Sequence, residues 1–388
     1  MHPKQTVFYS LVAALSALGL TSILFALGGL YPFGDCTLAW CDMQQQVVPL
    51  WMQLSDMLQG EVSPLYSLRA AGGMSLWGVL LFFVASPLSL LSVFWEKGDM
   101  LLFANVMTLL KLGCCAATSA WFFHKRYEKL ALPTVCALSL GYAFSGYSMM
   151  YYQNSVWLDV MALFPLLLLS MEGLRRRGGG LSYGILLTLC IVTNYYLSYA
   201  ILIFLALMGG TVCRLCLNGQ ERGRYALRLG FYTVLALLLS APVWMPSLWE
   251  VLASARNEGL IQSLSGGALL TDMPTTICFL LCSAVTFVPA LSCWRLEFPK
   301  EAPERAERAL LPLLLIPLFV DPINRMWHTG SYQAFPVRYG FLTVLLLLSL
   351  SAAWLTRREE LPSHSDSGAL GTMIGALLVA LSVSTLLP

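Results

Sequence analysis

A chain of 388 residues in which 57% are hydrophobic and 11% charged, with a mean hydropathy of +0.70, falls outside the soluble globular class, where about 25% of residues are charged. Its net charge of +2 comes from basic residues scattered between apolar runs, which excludes a nucleic-acid surface. The remaining class is an all-α polytopic membrane protein, read as a single transmembrane domain over residues 1–388, because runs of the about 20 apolar residues that a bilayer core requires recur along the chain.

In chain order, the first run, 7–30, is too long for a signal peptide and lacks its cleavage pattern, so it reads as a retained span. Further spans are expected at 100–123, 131–150, 156–174, 181–196, 197–217, 226–249, 275–294, 309–320, 340–355 and 369–387, which makes about 11 transmembrane helices. The stretch 181–217 is twice the length of one span and must fold back as a hairpin, with its turn at Asn194-Tyr195-Tyr196. The segment 76–94 is long enough to cross but is interrupted by Ser86-Pro87, and it reads as broken and non-spanning.

With a cytoplasmic N-terminus, this arrangement puts seventeen of the 23 basic residues inside and five outside, leaving Lys111 within a span. That distribution obeys the positive-inside rule. An external N-terminus with a spanning 76–94 gives the same count, but it separates the 34–59 loop from every other polar cluster. Loops at 31–75, 250–273 and 321–338 are external on the preferred reading.

Asp35, Asp42, Gln44 to Gln46, Asn154, Asp159, Asn194, Tyr195, Tyr196, Arg256, His328 and Arg338 then gather at one face. In the first outer loop, Val47, Val48, Leu50, Trp51, Leu54, Met57 and Leu58 follow helical spacing, which predicts an amphipathic helix lying in the interface. Asp42 opens that helix, either as an N-cap or as a functional acid. Lys111 lies in the middle of an apolar run and needs an anion, for which Asp159 or a lipid phosphate would serve. Arg338 at a helix start is suited to grip a phosphate or to anchor the interface. Tyr151, Tyr152, Trp157 and Tyr195 form either a sugar-stacking surface or the ordinary aromatic belt. Cys36 and Cys41 share the outer loop and are expected to pair as a disulfide. The Cys213-x-x-Cys216 pair has no second ligand pair and reads as structural.

Tyr31-Pro-Phe-Gly-Asp35, Trp40-x-Asp-Met-x-Gln45, Gly141-Tyr-Ala-Phe-Ser-Gly-Tyr147, Trp157-Leu-Asp159, Asn194-Tyr-Tyr196 and Phe335-Pro-x-Arg338 together resemble the YfhO family of bacterial membrane proteins over most of the chain. That family resembles the GT-C glycosyltransferases, in which a first outer loop carries an essential acid beside a half-buried helix. The resemblance implies an inverting transfer of sugar from a polyprenyl-phosphate monosaccharide to an extracytoplasmic polymer or lipid acceptor, such as lipoteichoic acid or a wall polymer, at a bacterial cytoplasmic membrane. It implies Asp42, with Asp35 second, as the catalytic acid. Lys111, Asn154, Trp157, Asp159, Asn194, Tyr195, Tyr196, Arg256 and Arg338 are the expected substrate contacts.

The chain departs from the pattern at Cys41, where Gly is expected before the acid, at Cys36, and in lacking the family's long outer C-terminal region. The sequence holds no dedicated metal cage, although a divalent metal that neutralises the phosphate is compatible with the chemistry. A flippase of lipid-linked sugars and a non-catalytic scaffold for wall-polymer assembly are the alternatives.

Overall fold

The computed structural model describes residues 3–69, 73–75, 77–177, 179–253, 271, 289–300, 302–329 and 336–357. Arg256, the span expected at 369–387, and most of the span at 275–294 and of the loop at 250–273 lie outside these residues.

The described chain is an α-helical bundle. Its helices are α1 (Pro3–Leu27), α2 (Val48–Leu58), α3 (Trp77–Phe83), α4 (Met100–Arg126), α5 (Leu132–Ala143), α6 (Gly146–Tyr151), α7 (Ser155–Arg177), α8 (Leu181–Thr193), α9 (Tyr195–Leu215), α10 (Gly219–Ala253), α11 (Pro303–Phe319), α12 (Asp321–Met326) and α13 (Gly340–Arg357). Among the described residues six helices are long and apolar enough to cross a membrane, or seven if α3 and the following 3-10 turn count as one span. The shortfall from eleven has local causes beyond the undescribed residues. The run 131–150 breaks at Phe144-Ser145, between α5 and α6. Helix α8 has 13 residues, about 20 Å of rise, and α11 stops at 17.

Helix α13 is apolar on every side and is buried from Gly340 to Ala353, as expected of a helix at the centre of a bundle. At the periphery, α1 and α10 bury only 28% and 11% of their apolar windows. Helix α1 ends where Gly29 takes φ 64°, and Leu30 N–H then reaches back to the Phe25 carbonyl at 2.8 Å. This left-handed glycine stop satisfies carbonyls that the last turn would leave open. Gly34 closes the turn that follows, and any Cβ there would lie 2.4 Å from the Gly29 oxygen.

The first loop, expected to be external, packs on an apolar core of its own. Met43, Val47, Val48 and Trp51 meet Leu80, Val84, Phe103 and Met107, and Trp51 Nε1 donates to Ser89 Oγ at 3.0 Å. Helix α2 is less regular than its periodicity predicts, since Leu58 is exposed while Gln53, Ser55 and Asp56 are buried. The reason is electrostatic, because Asp56 takes Arg69 at 3.1 Å and Lys97 at 2.5 Å.

The same ties decide the path of the broken segment, whose two halves bend by 103°. Its entry strand, Met74–Ser75, pairs with Tyr66–Ser67, and Ser67 accepts from Gln53 at 2.6 Å. Lys97, at its exit, holds Asp56. Both ends are therefore fastened to α2, and the segment enters and leaves at one end of the bundle. Tyr152 OH to Leu38 O at 3.3 Å, Asn194 Nδ2 to Phe82 O at 2.9 Å and Tyr199 OH to Met326 O at 3.1 Å bring the 31–99 loop, the α6–α7 junction, the α8–α9 turn and the end of α12 to this same end. This is the expected gathering of polar clusters, and it disfavours the arrangement that separates the first loop from the rest.

At the other end Arg126 is surrounded by Glu172 at 3.1 Å, Glu304 at 3.5 Å and Glu307. Ser349 of α13 adds a bond to Glu307 at 2.9 Å. These contacts join α4, α7, α11 and α13.

A re-entrant path makes a direct prediction. Cysteines placed singly at 75 and 97 in a cysteine-free background should both react with an impermeant maleimide added to the same side of sealed vesicles. Labelling from opposite sides would show that 76–94 crosses.

Candidate functional site

The loop that carries the candidate acids is held by Asn105, a polar side chain buried near the start of α4. Asn105 Nδ2 donates to the carbonyls of Tyr31 and Cys36, each at 3.1 Å, and its Oδ1 accepts from Leu38 N–H at 2.9 Å. Thr37 Oγ1 adds a bond to Leu101 O at 2.7 Å. Both Cys36 and Cys41 remain free thiols, so the expected disulfide is not formed. The segment between them is pinned to α4 instead.

Asp35 is exposed in the tight turn. Asp42 is half-buried, has helical backbone angles and makes no capping bond, which removes the N-cap reading. One carboxylate oxygen, Oδ1, accepts from Gln46 Nε2 at 2.8 Å. The bond crosses a π-helical turn, Met43–Val47, a wider winding that recurs at functional sites. Cys41, before the acid, has φ 48°, at the position where Gly is expected from the resemblance to GT-C enzymes. The glycine-type conformation is thus kept despite a Cβ, at a cost of about 1–2 kcal/mol. Backbone strain beside a carboxylate is a mark of functional geometry.

A second group surrounds Lys111. Its ammonium is fully buried and donates to Asp159 Oδ2 at 2.7 Å, Ser155 Oγ at 2.7 Å and Ser155 O at 3.1 Å. An ammonium has three hydrogens, and all are matched inside the protein. Of the two sequence readings, the structural pair fits this geometry. Ser86, at the break of the re-entrant segment, lies within hydrogen-bond reach of Asp159.

The third group forms around Arg338. Its Nη1 donates to Tyr196 OH at 2.6 Å, and its guanidinium carbon lies 5.0 Å from the Tyr196 ring and 5.6 Å from the Trp157 ring. Cation–π contact with two rings holds the charge in place. The Arg338 N–H donates to His328 Nε2 at 3.0 Å, and His328 Nδ1 meets Asn324 O at 2.7 Å. This network assigns the proton to Nδ1. Tyr151 OH bonds the Pro336 carbonyl, and its ring packs edge-on against Trp157 at 5.0 Å.

Asn154 and Gln153 are buried beside this group, and among the described residues Asn154 Nδ2 and Gln153 Oε1 have no partner. Asn194 has no such capacity. Its Oδ1 accepts from Leu197 N–H at 2.8 Å as the N-cap of α9, and its Nδ2 holds Phe82 O. Tyr195 packs against the Phe82 ring at 5.7 Å. The structure therefore brings Trp157, Tyr196 and Arg338 together, puts Lys111 and Asp159 in a neighbouring pair, and leaves Asp42 on its own turn. Asn105, Asp56 and His328 are the residues that the sequence analysis underrated. Their signal was available, as polar residues inside or beside apolar runs. Among the described residues no three His, Cys, Asp or Glu side chains converge as a metal site.

The family model described as bacterial membrane protein YfhO matches residues 13–386. No curated protein and no solved structure gives a significant match to the chain.

Two predictions follow from the pins of this end. Asn194→Ala should lower stability by about 1–2 kcal/mol through loss of the cap and of the Phe82 bond. Asn194→Asp, which keeps the cap, should recover part of that loss, and thermal unfolding in detergent measures both.

Burial, reinforced by the Arg338 charge, lowers the His328 pKa to about 3 even though the Asn324 carbonyl opposes the shift. In the unfolded chain it titrates near 6.5, so from about pH 6.5 down towards 3 the unfolded state takes up a proton that the folded state refuses. Stability is present above that window and is lost as pH falls through it, by about 2 kcal/mol between pH 7 and 5. His328→Gln should remove this part of the acid sensitivity. An unchanged acid profile in the variant would reject the assignment.

Proposed function

The chain belongs to the YfhO family of bacterial membrane proteins, and from that premise we propose that it is a GT-C type glycosyltransferase. It would move a sugar from a polyprenyl-phosphate monosaccharide to an extracytoplasmic acceptor, a wall polymer or lipoteichoic acid, with inversion. The observation that carries this reading is the state of Asp42. The acid is half-exposed, free of capping duty, oriented through one oxygen by Gln46, and set in a strained turn at the end where the aromatic and cationic groups collect. The N-terminus and the arginine-rich end are cytoplasmic in this proposal by the positive-inside rule, which leaves the Asp42 end outside.

In the proposed reaction the acceptor hydroxyl attacks the anomeric carbon from the face opposite the phosphate. The free oxygen of Asp42 takes the hydroxyl proton as the new C–O bond forms. The bond from the anomeric carbon to the phosphate oxygen breaks with its electron pair remaining on the phosphate, and polyprenyl phosphate leaves. Arg338, steadied between Trp157 and Tyr196, is the cation for that leaving group. The buried atoms Asn154 Nδ2 and Gln153 Oε1 are the candidates for sugar hydroxyls. A flippase would need charges along a path through the bundle, and the closed Lys111–Ser155–Asp159 set argues against that alternative.

Asp42→Asn keeps size and an acceptor oxygen but loses basicity. Release of polyprenyl phosphate by the purified protein should fall by about 10²–10⁴, with little change in unfolding temperature, whereas Asp35→Asn should stay within a few-fold of the parent. Turnover by Asp42→Asn comparable with the parent would place the base elsewhere.

A further inference from the structure

A cavity lies away from Asp42 and Arg338, at the opposite, arginine-rich end, between α7, the end of α9, the first turns of α10, Pro299 and Ala302. Its volume is about 720 Å³, within the range of sites for small molecules, about 300–1,000 Å³. Arg175 of α7 and Arg224 and Arg228 of α10 line it, with Glu221 the one acid on its wall among the described residues and the buried Tyr225 ring among them.

Arg224 and Arg228 are one helical turn apart and face the same space, where like charges repel. Neither forms an ion pair among the described residues. The contrast with Arg126 at the same end is informative. That guanidinium receives three glutamates, so the fold matches an arginine with acids where the charge is part of the packing. Arg224 and Arg228 receive no such acid among the described residues. Topology alone asks for basic residues at this end, but it does not ask for one helix to set two guanidiniums without an ion pair on the wall of a common hollow. Planar guanidinium forks suit the oxygens of a phosphate.

We propose that this cavity is a binding site for a phosphate ester, distinct from the Asp42 site and reached from the arginine-rich face. A soluble phosphate monoester and the headgroup of an anionic lipid share this chemistry. Two measurements on the purified full chain separate them. In neutral detergent the unfolding midpoint is titrated with glycerol 3-phosphate, using glycerol as the uncharged control. In nanodiscs it is compared between pure phosphatidylcholine and phosphatidylcholine containing phosphatidylglycerol.

A shift with glycerol 3-phosphate assigns a soluble ester, and a shift confined to phosphatidylglycerol assigns a headgroup. In the responding arm Arg224→Gln/Arg228→Gln should weaken the apparent Kd by about tenfold or more, as expected for loss of charge-assisted bonds. Lys125→Gln/Lys129→Gln, which removes equal charge at the same end outside the cavity, should leave it nearly unchanged. Should the Gln pair fail to fold, Arg224→Lys/Arg228→Lys takes its place. That pair keeps the charge and loses the forks, and it should bind several-fold more weakly. An equal loss in the Lys125/Lys129 variant, an unchanged Kd in the arginine variants, or no shift in either arm overturns the proposal.

Discussion

The Lys111 ammonium is the constraint around which the Asp42 end of this protein is built. A charge at the middle of a lipid-embedded helix costs about 2.5–3.5 kcal/mol on insertion scales, and no water in the hydrocarbon can offset it. The offset comes from the first two turns of α7, through Ser155 and Asp159. That requirement fixes the depth of α7 against α4. The depth of α7 in turn places Asn154 and Trp157 where the α8–α9 turn and Arg338 can reach them. The tip of the re-entrant segment closes over the same pair through Ser86.

The re-entrant segment obeys the same rule. Irregular backbone is tolerated at membrane depth only where protein satisfies it. Phe82 O, an orphan carbonyl at the end of α3, is taken by Asn194, and Ser86 caps the following turn by accepting from Leu88 N–H. Its two ends are fastened to α2 through Ser67 and Asp56. Half-buried helix, broken segment and α8–α9 turn therefore form one rigid platform, and the strained Cys41–Asp42 turn is mounted on its edge. The general-base role proposed for Asp42 would need such support, because proton transfer depends on placement within about 2.6–3.2 Å of the hydroxyl.

Polar groups serve different purposes at the two ends. At the Asp42 end, Asn154 keeps a buried side-chain nitrogen without a partner among the described residues, and Arg338 rests against Tyr196 and Trp157. At the arginine-rich end the Arg126 cluster is closed and mechanical, tying four helices. The neighbouring Arg224 and Arg228 form no ion pair among the described residues.

The sequence by itself determined the class, the family, the hairpin at 181–217, the interruption at Ser86-Pro87 and the company of Asp42, Asn154, Asn194 and Arg338 at one end. These follow from hydropathy, charge asymmetry and local motifs, which act along the chain. Only the tertiary structure decided what each polar residue does. Lys111 and Asn194 were legible as unusual, but their roles as a closed pair and as a cap with a second bond depend on Ser155, Asp159 and Phe82, 44, 48 and 112 residues away. The same holds for Asp56, which periodicity does not single out and whose burial depends on Arg69 and Lys97. Periodicity reports which face of a helix is apolar. It cannot report which distant donor arrives to satisfy a buried acceptor, and in a membrane that pairing decides whether a polar residue is structural or available for chemistry.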